Sequence, residues 1–213
     1  AVKLGLRVAR TSVMASMARA PDDKGGESRL AAVKAVSATH PLRGRLTLGA
    51  LQPDGQVSPS GPAPAGGPAP GEAWVDAGIL LALNLQVGDS LWLGERSFRI
   101  ASVIQSEPDR GAGFINFSPR VMIRESDLAA TELVQPASRI THRLMVAAAG
   151  NRGGADTGVR EFQRWAEAQV AAGGLRGVRV ESLQGGRPEM QQTLERAERF
   201  LNLVALLAAL LAA

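Results

Sequence analysis

The sequence predicts an α+β fold, and three observations carry that expectation. Several segments alternate apolar and polar residues as strands do. One segment, 159–170, carries an apolar stripe at helical spacing. The chain then closes on a long apolar run that has neither pattern.

The first two extended candidates are "LRVARTSVMASMARA" and "SRLAAVKAVSATH", separated by the turn-rich "PDDKGGE". "PLRGRLTLG" adds a further strand. Residues 52–72, "QPDGQVSPSGPAPAGGPAPGE", are rich in Pro, Gly and Ala and predict a flexible loop. A short helix is expected from about Asp76 to Leu83.

The next segment holds the clearest local signal. Val87-Gly88-Asp89 turns the chain, because Gly88 can adopt positive φ and Asp89 can bond nearby amides. "SLWLG" places Leu91 and Leu93 on one face and Trp92 on the other. Gly94-Glu95 makes a tight turn, and "SFRIASVI" returns with Phe98, Ile100 and Ser102 on one face and Arg99, Ala101 and Val103 on the other. Alternation interrupted by a two-residue turn is a hairpin signature. Helix, turn and hairpin together predict a small β-barrel-like core, so Gly88, Asp89 and Gly94 are structural turn residues.

Beyond it, "EPDRGAGF" is a turn-rich connection, and Glu107/Asp109 and Asp22-Asp23 read as isolated surface pairs. "SPRVMIRESDLAATELV" predicts a short strand and a helical turn capped by Ser126 or Asp127. "SRITHRLMVAA" alternates as a strand, with Ile140, His142, Leu144 and Val146 sharing one parity. "VREFQRWAEAQVAAGG" predicts a helix whose apolar side (Val159, Phe162, Trp165, Ala166, Val170) faces a core, ended by Gly173-Gly174. "GVRVESL" predicts one more strand. An α/β layer at each end of the chain with the hairpin unit inserted between them accounts for this order.

The end reads "RPEMQQTLERAERFLNLVALLAALLAA". Pro188 suits a first helical turn. Met190, Leu194, Ala197, Leu201 and Val204 form one stripe of an amphipathic stalk helix. From Phe200 onward only Asn202 is polar. Fourteen such residues cover roughly 21 Å of helix, short of a bilayer core of about 30 Å. A buried terminal helix is one reading; a transmembrane helix cut short by the end of the fragment fits better, with residues 188–199 as its stalk. The expected object is an extramembrane domain from a larger membrane protein.

Composition narrows the chemistry. The 213 residues hold no cysteine, so there is no thiol chemistry and no disulfide. Twenty-four Lys and Arg against 20 Asp and Glu leave a net charge of +4. The basic residues are nearly all arginine and scattered, whereas a nucleic-acid footprint needs a clustered basic stripe with aromatic platforms. The two histidines, His40 and His142, read as structural or surface imidazoles. No G-x-S-x-G elbow, P-loop or metal-ligand spacing is present. The expectation is a chain that is not an enzyme, binds no nucleic acid, and has no catalytic, cofactor or metal site.

"ALNLQVGDSLWLGERSFRIASVI" resembles a pattern of FtsX-like, MacB-type ABC transporter permeases. "LAAVKAVSATHPLRGRL" (30–46), "GEAWVD" (71–76), "EPDRGAGFINFSPRVMI" (107–123), "LVQPASRITHRLMVA" (133–147) and "RPEMQQTLERAERFLNLVALLA" (187–208) resemble the YbbP branch of that family, in order along most of 28–213. The resemblance implies a MacB-like periplasmic domain with a discontinuous, porter-like α/β layer. Residues 1–51 and 136–186 would form its two parts, 52–72 a flexible loop, 73–135 an inserted small β-rich subdomain, and 187–213 a stalk helix entering the membrane. It implies a bacterial inner-membrane permease, with this domain facing the periplasm beside the lipid bilayer. ATP would be bound by a partner, a YbbA-type cytoplasmic ATPase. The domain would couple ATP hydrolysis to extraction or export of a hydrophobic, lipid-like substrate by mechanotransmission. The branch's link to a periplasmic lysophospholipase/thioesterase implies hydrophobic cargo. Two other roles remain open: a docking scaffold for such an enzyme, or a regulator of a cell-wall hydrolase.

Overall fold

The computed structural model describes residues 1, 4–110, 117–149, 155–173 and 177–182. Two compact units divide the chain, Ala1–Ala155 and Asp156–Ala213.

The first unit is built on strands. β1 (Leu6–Arg19) turns through Asp22–Lys24 into β2 (Ser28–Val36), and the two pair antiparallel over nine residue pairs, Thr11↔Val36 to Arg19↔Ser28. Then follow β3 (Thr47–Leu51), β4 (Val57–Pro62), β5 (Glu72–Val75), helix α1 (Ala77–Leu83), β6 (Ser90–Leu93), β7 (Arg96–Ser106), β8 (Arg120–Arg124) and β9 (Thr141–Ala148).

Six of these strands close on themselves. β1 pairs β2, β2 pairs β8, β8 pairs β5, β5 pairs β7, β7 pairs β6, and β6 returns to β1. The circuit is a small barrel, the closure that removes free edges. β1 and β2 come from residues 1–51 and β5–β8 from 73–135, so hydrogen bonding runs across that expected boundary. β9 extends β1 antiparallel, and β3 and β4 extend β7.

A continuous apolar cluster joins the barrel strands. Met14, Val33, Val75, Leu91, Leu93, Phe98, Ile100, Val121 and Ile123 belong to it, with Ile79, Leu80 and Leu83 of α1. Phe98 and Ile100 are fully buried there, but the alternation expected of β7 does not continue. Ala73 pairs Ile100 while Trp74 pairs Ser102, leaving Ala101 as an extra residue. This bulge shifts the parity. Val103 joins the first cluster, and Ile104 joins a second one with Val36, Leu46, Leu48, Trp74 and Met122.

The Pro/Gly/Ala-rich stretch departs from the flexible loop expected of it. It carries β4, and Gly66, Gly67 and Pro68 are buried. A Cβ on Gly66 would lie 2.8 Å from the Ala38 carbonyl oxygen, and one on Gly67 would lie 2.4 Å from Val36 Cγ2. The absence of side chains, which suggested disorder, is what lets this backbone lie against residues 36–38.

One further expectation is corrected. Neither Ser126 nor Asp127 caps the turn after β8 through its side chain. Asp127 is instead buried and accepts a 2.8 Å hydrogen bond from the Gly71 amide. Just before β9, Ile140 packs against the first apolar cluster. Ala147 and Met145 pack with Ala9 and Leu42, while Leu144 is 59% exposed.

In the second unit, helix α2 (Ala155–Ala171) ends where Gly173 takes φ 79°, the left-handed geometry of a helix C-terminus. Phe162 and Trp165 pack ring against ring at 5.5 Å between centroids. Among the described residues, no side chain of α2 is buried, and Trp165 is 57% exposed. Gly177–Ser182, expected to begin a strand, carry none.

Candidate functional site

Lys34 sits on β2 between Ala32 and Val36, on the face opposite Val33 and Ala35 of the barrel core. Strand alternation therefore aims a lysine at the barrel's outer wall. That wall is covered: the Lys34 side chain is only 3% exposed. Its Nζ donates to Glu107 Oε1 at 2.6 Å and to both carboxylate oxygens of Asp109 at 2.8 Å.

Glu107, whose side chain is 0% exposed, joins two cations. Its second oxygen accepts a 3.0 Å hydrogen bond from Nε of Arg120, which is buried at the start of β8. Asp76, just before α1, accepts from the Arg120 backbone amide at 2.9 Å and from Arg110 Nη2 at 2.8 Å. Two buried cations thus meet two carboxylates, with a second, more exposed pair beside them. Buried charge is tolerated when it is paired and hydrogen-bonded in this way.

His40 completes the cluster. It is 2% exposed, and its Nε2 lies 3.8 Å from Asp109 Oδ1. Neither ring nitrogen has a hydrogen-bond partner among the described residues. Burial, reinforced by the charge of Lys34, pushes the imidazole below its ordinary pKa; Asp109 and Glu107 only partly oppose this. For Asp109, burial pushes upward. The charge and hydrogen bond of Lys34, with smaller help from His40 and the Asp109 backbone, outweigh it and hold the carboxyl below its usual range.

The arrangement is a clamp of paired charges. The carboxylates are occupied by cations, and among the described residues the imidazole has no hydrogen-bond partner. Its chemical effect is to tie the segment after β7 and the start of β8 to β2. Glu107 and Asp109, read from sequence as an isolated surface pair, are corrected here: Glu107 is wholly buried and Asp109 is bound to Lys34. Asp22 does lie at the surface, paired with Arg19 at 2.5 Å.

The turn residues singled out from sequence lie elsewhere. Gly88 takes φ 102° and donates to the Ile100 carbonyl at 2.8 Å. Asp89 Oδ2 accepts from the Gln86 amide at 2.8 Å, and Asp89 also pairs with Lys24 at 3.4 Å. Gly94 takes φ 55° in the β6–β7 turn. Met190, Leu194, Ala197, Leu201 and Val204 lie outside the described residues, as does the apolar run from Phe200. Among the described residues no helix is long and apolar enough to cross a membrane, and no group of His, Asp or Glu could hold a metal ion.

No family model matches the chain. Against curated proteins, a match that covers the whole chain is 31% identical to the uncharacterized ABC transporter permease YbbP of Escherichia coli strain K12. Over its whole length the chain is thus similar to a segment of a YbbP-type ABC transporter permease. It spans 23% of that relative's length. Among solved structures, a domain described as belonging to a permease protein of Porphyromonas gingivalis overlaps it with TM-score 0.42 and 11% identity, over 75% of this chain and 70% of that one.

Three of the strings that resemble the YbbP branch meet at the ionic cluster. Lys34 and His40 come from 30–46, Asp76 from 71–76, and Glu107, Asp109, Arg110 and Arg120 from 107–123. Those strings were the available signal. Each gives a charged or ionisable residue beside apolar neighbours, but none says by itself which charge meets which.

Proposed function

We propose that this chain is the periplasmic domain of an inner-membrane ABC transporter permease. It couples cytoplasmic ATP hydrolysis to extraction or export of a hydrophobic, lipid-like molecule, and it does so by moving as a body. The observation that carries this reading is the match to a permease along the whole chain. The architecture supports it: a closed barrel with a filled interior, clamped on its outer wall by paired buried charges, suits a part that is moved without deforming.

In this account ATP binds to a YbbA-type cytoplasmic partner, which performs the one hydrolytic step, and the chain has no cofactor of its own. Residues 187–213 form a stalk continuous with a membrane helix, transmitting motion from the bilayer to the barrel. A periplasmic lysophospholipase or thioesterase is the partner that receives or modifies the cargo.

The test is reconstitution of the full-length permease with its ATPase in proteoliposomes containing a fluorescent lysophospholipid. ATP-dependent release of the lipid, lost when residues 1–182 are deleted, is the expected result. ATP-independent capture of the periplasmic enzyme by this domain, with no lipid release, would replace the transport reading with a docking one.

A further inference from the structure

We propose that His40 is an acid trigger: protonation of its buried ring releases residues 37–46 and 107–110 from the outer wall of the barrel. The inference rests on the cluster's geometry and is independent of the transport reading.

The ring adjoins an ionic cluster whose charges balance. Lys34 from β2 and Arg120 from β8 contribute two positive charges; Glu107 and Asp109, from the segment after β7, contribute two negative ones. The 63–68 segment presents backbone, the Gly66 amide donating to the His40 carbonyl at 3.2 Å. A neutral ring leaves the buried sum at zero, and a protonated one makes it +1.

A protonated ring is also a double donor and needs two acceptors. The near one, Asp109 Oδ1, stands at 3.8 Å, and both Asp109 oxygens are already held by Lys34. The added charge is therefore buried, in excess and without a ready partner, a costly combination. Opening the covering segments to water removes it. The ring's depressed folded-state pKa acts in the same direction.

The sign follows from proton uptake. The closed form keeps the ring neutral, whereas an opened form binds a proton with an ordinary pKa of about 6.5. Lowering the pH below that value drives opening, about fivefold over the first pH unit and approaching tenfold per unit beyond it, until the closed form also protonates.

The test is amide hydrogen exchange across pH 7.5–5.5 in the 213-residue chain, corrected for intrinsic rates, alongside His40→Gln. For the wild type, the opening constant read at Ser37, His40 and Gly66 should rise about fivefold from pH 6.5 to 5.5. His40→Gln should show no such rise. Equal slopes in the two proteins would overturn the proposal. Should His40→Gln fail to fold, NMR titration of the wild type decides. The chain has two imidazoles, separable by His142→Gln. A His40 ring that stays neutral well below pH 6.5 supports the trigger; one that titrates at 6.5 or above with protection intact sinks it.

Discussion

Lys34 and Glu107 lie 73 positions apart in sequence, yet their charged atoms meet at 2.6 Å with side chains 3% and 0% exposed. This contact fastens the end of β7 to the outer side of β2, and Arg120 continues it to β8.

Removing one partner of a buried pair leaves the other charged and dry. Lys34→Met is expected to cost about 3–5 kcal/mol. The double variant Lys34→Met/Glu107→Gln should lose less than the sum of the two single losses. Urea denaturation of the four proteins measures this; additive losses would mean that the pair is not coupled.

The two turn glycines should differ in a defined order. At Gly88 an added Cβ meets nothing within 4 Å, so Gly88→Ala pays only for positive φ, about 1–2 kcal/mol. At Gly94 the same atom would lie 2.0 Å from the Thr131 carbonyl oxygen, besides the positive φ. Gly94→Ala should therefore be less stable than Gly88→Ala by a further 1–3 kcal/mol or so, the usual overpacking range. Thermal unfolding of the two variants ranks them.

Asp127 is expected to act at a distance in sequence. It is buried, accepts from the Gly71 amide at 2.8 Å and faces Arg96 at 3.4 Å. Asp127→Ala should cost about 1–3 kcal/mol by stranding a buried donor. It should also raise the exchange rate of the Gly71 amide selectively, which hydrogen-exchange NMR reads directly.

Asp109 sets a second, more acidic sensitivity. Its carboxyl is held below the ordinary value, so the folded form retains the charge longer than the unfolded one. Its stabilising contribution is full above the ordinary carboxyl pKa of about 4. It declines as pH falls below that value and through the folded pKa. Asp109→Asn should be less stable than wild type at pH 6, with the gap narrowing below pH 4 in denaturation curves taken across that range.

The local parts of this fold were legible and the closures between them were not. Leu91 and Leu93 point inward and the chain turns at Gly94-Glu95 because alternation and a turn dipeptide are short-range signals. α1 begins at Ala77 after Asp76, within a residue of the expected start. The parity of Val103 was not legible, since the Ala101 bulge is set by pairing with β5, a separate segment. The packing of β9 was not legible for a related reason: Met145 and Ala147 pack on Ala9 and Leu42, which belong to distant segments. Gly66 and Gly67 illustrate the reverse case, where a composition that signals disorder in isolation permits a close backbone contact.

The ionic cluster shows the same limit at the level of the site. Glu107 and Asp109 look like ordinary loop acids until β2 and β8, parallel neighbours at Ala32↔Arg120 and Lys34↔Met122, bring two cations beneath them. Charge type was readable at every position; burial was not, because it depends on which segments cover the barrel wall.

The central claim is that the barrel is a body moved through a stiff stalk by ATP hydrolysis in a partner. The residues from Glu189 to Leu211 include no Gly or Pro to interrupt a helix. Inserting Gly-Pro after Arg196 in the full-length permease, reconstituted with its ATPase, tests the claim most directly. The account predicts that ATP hydrolysis persists while release of the fluorescent lysophospholipid stops. Undiminished release by the insertion variant would contradict it.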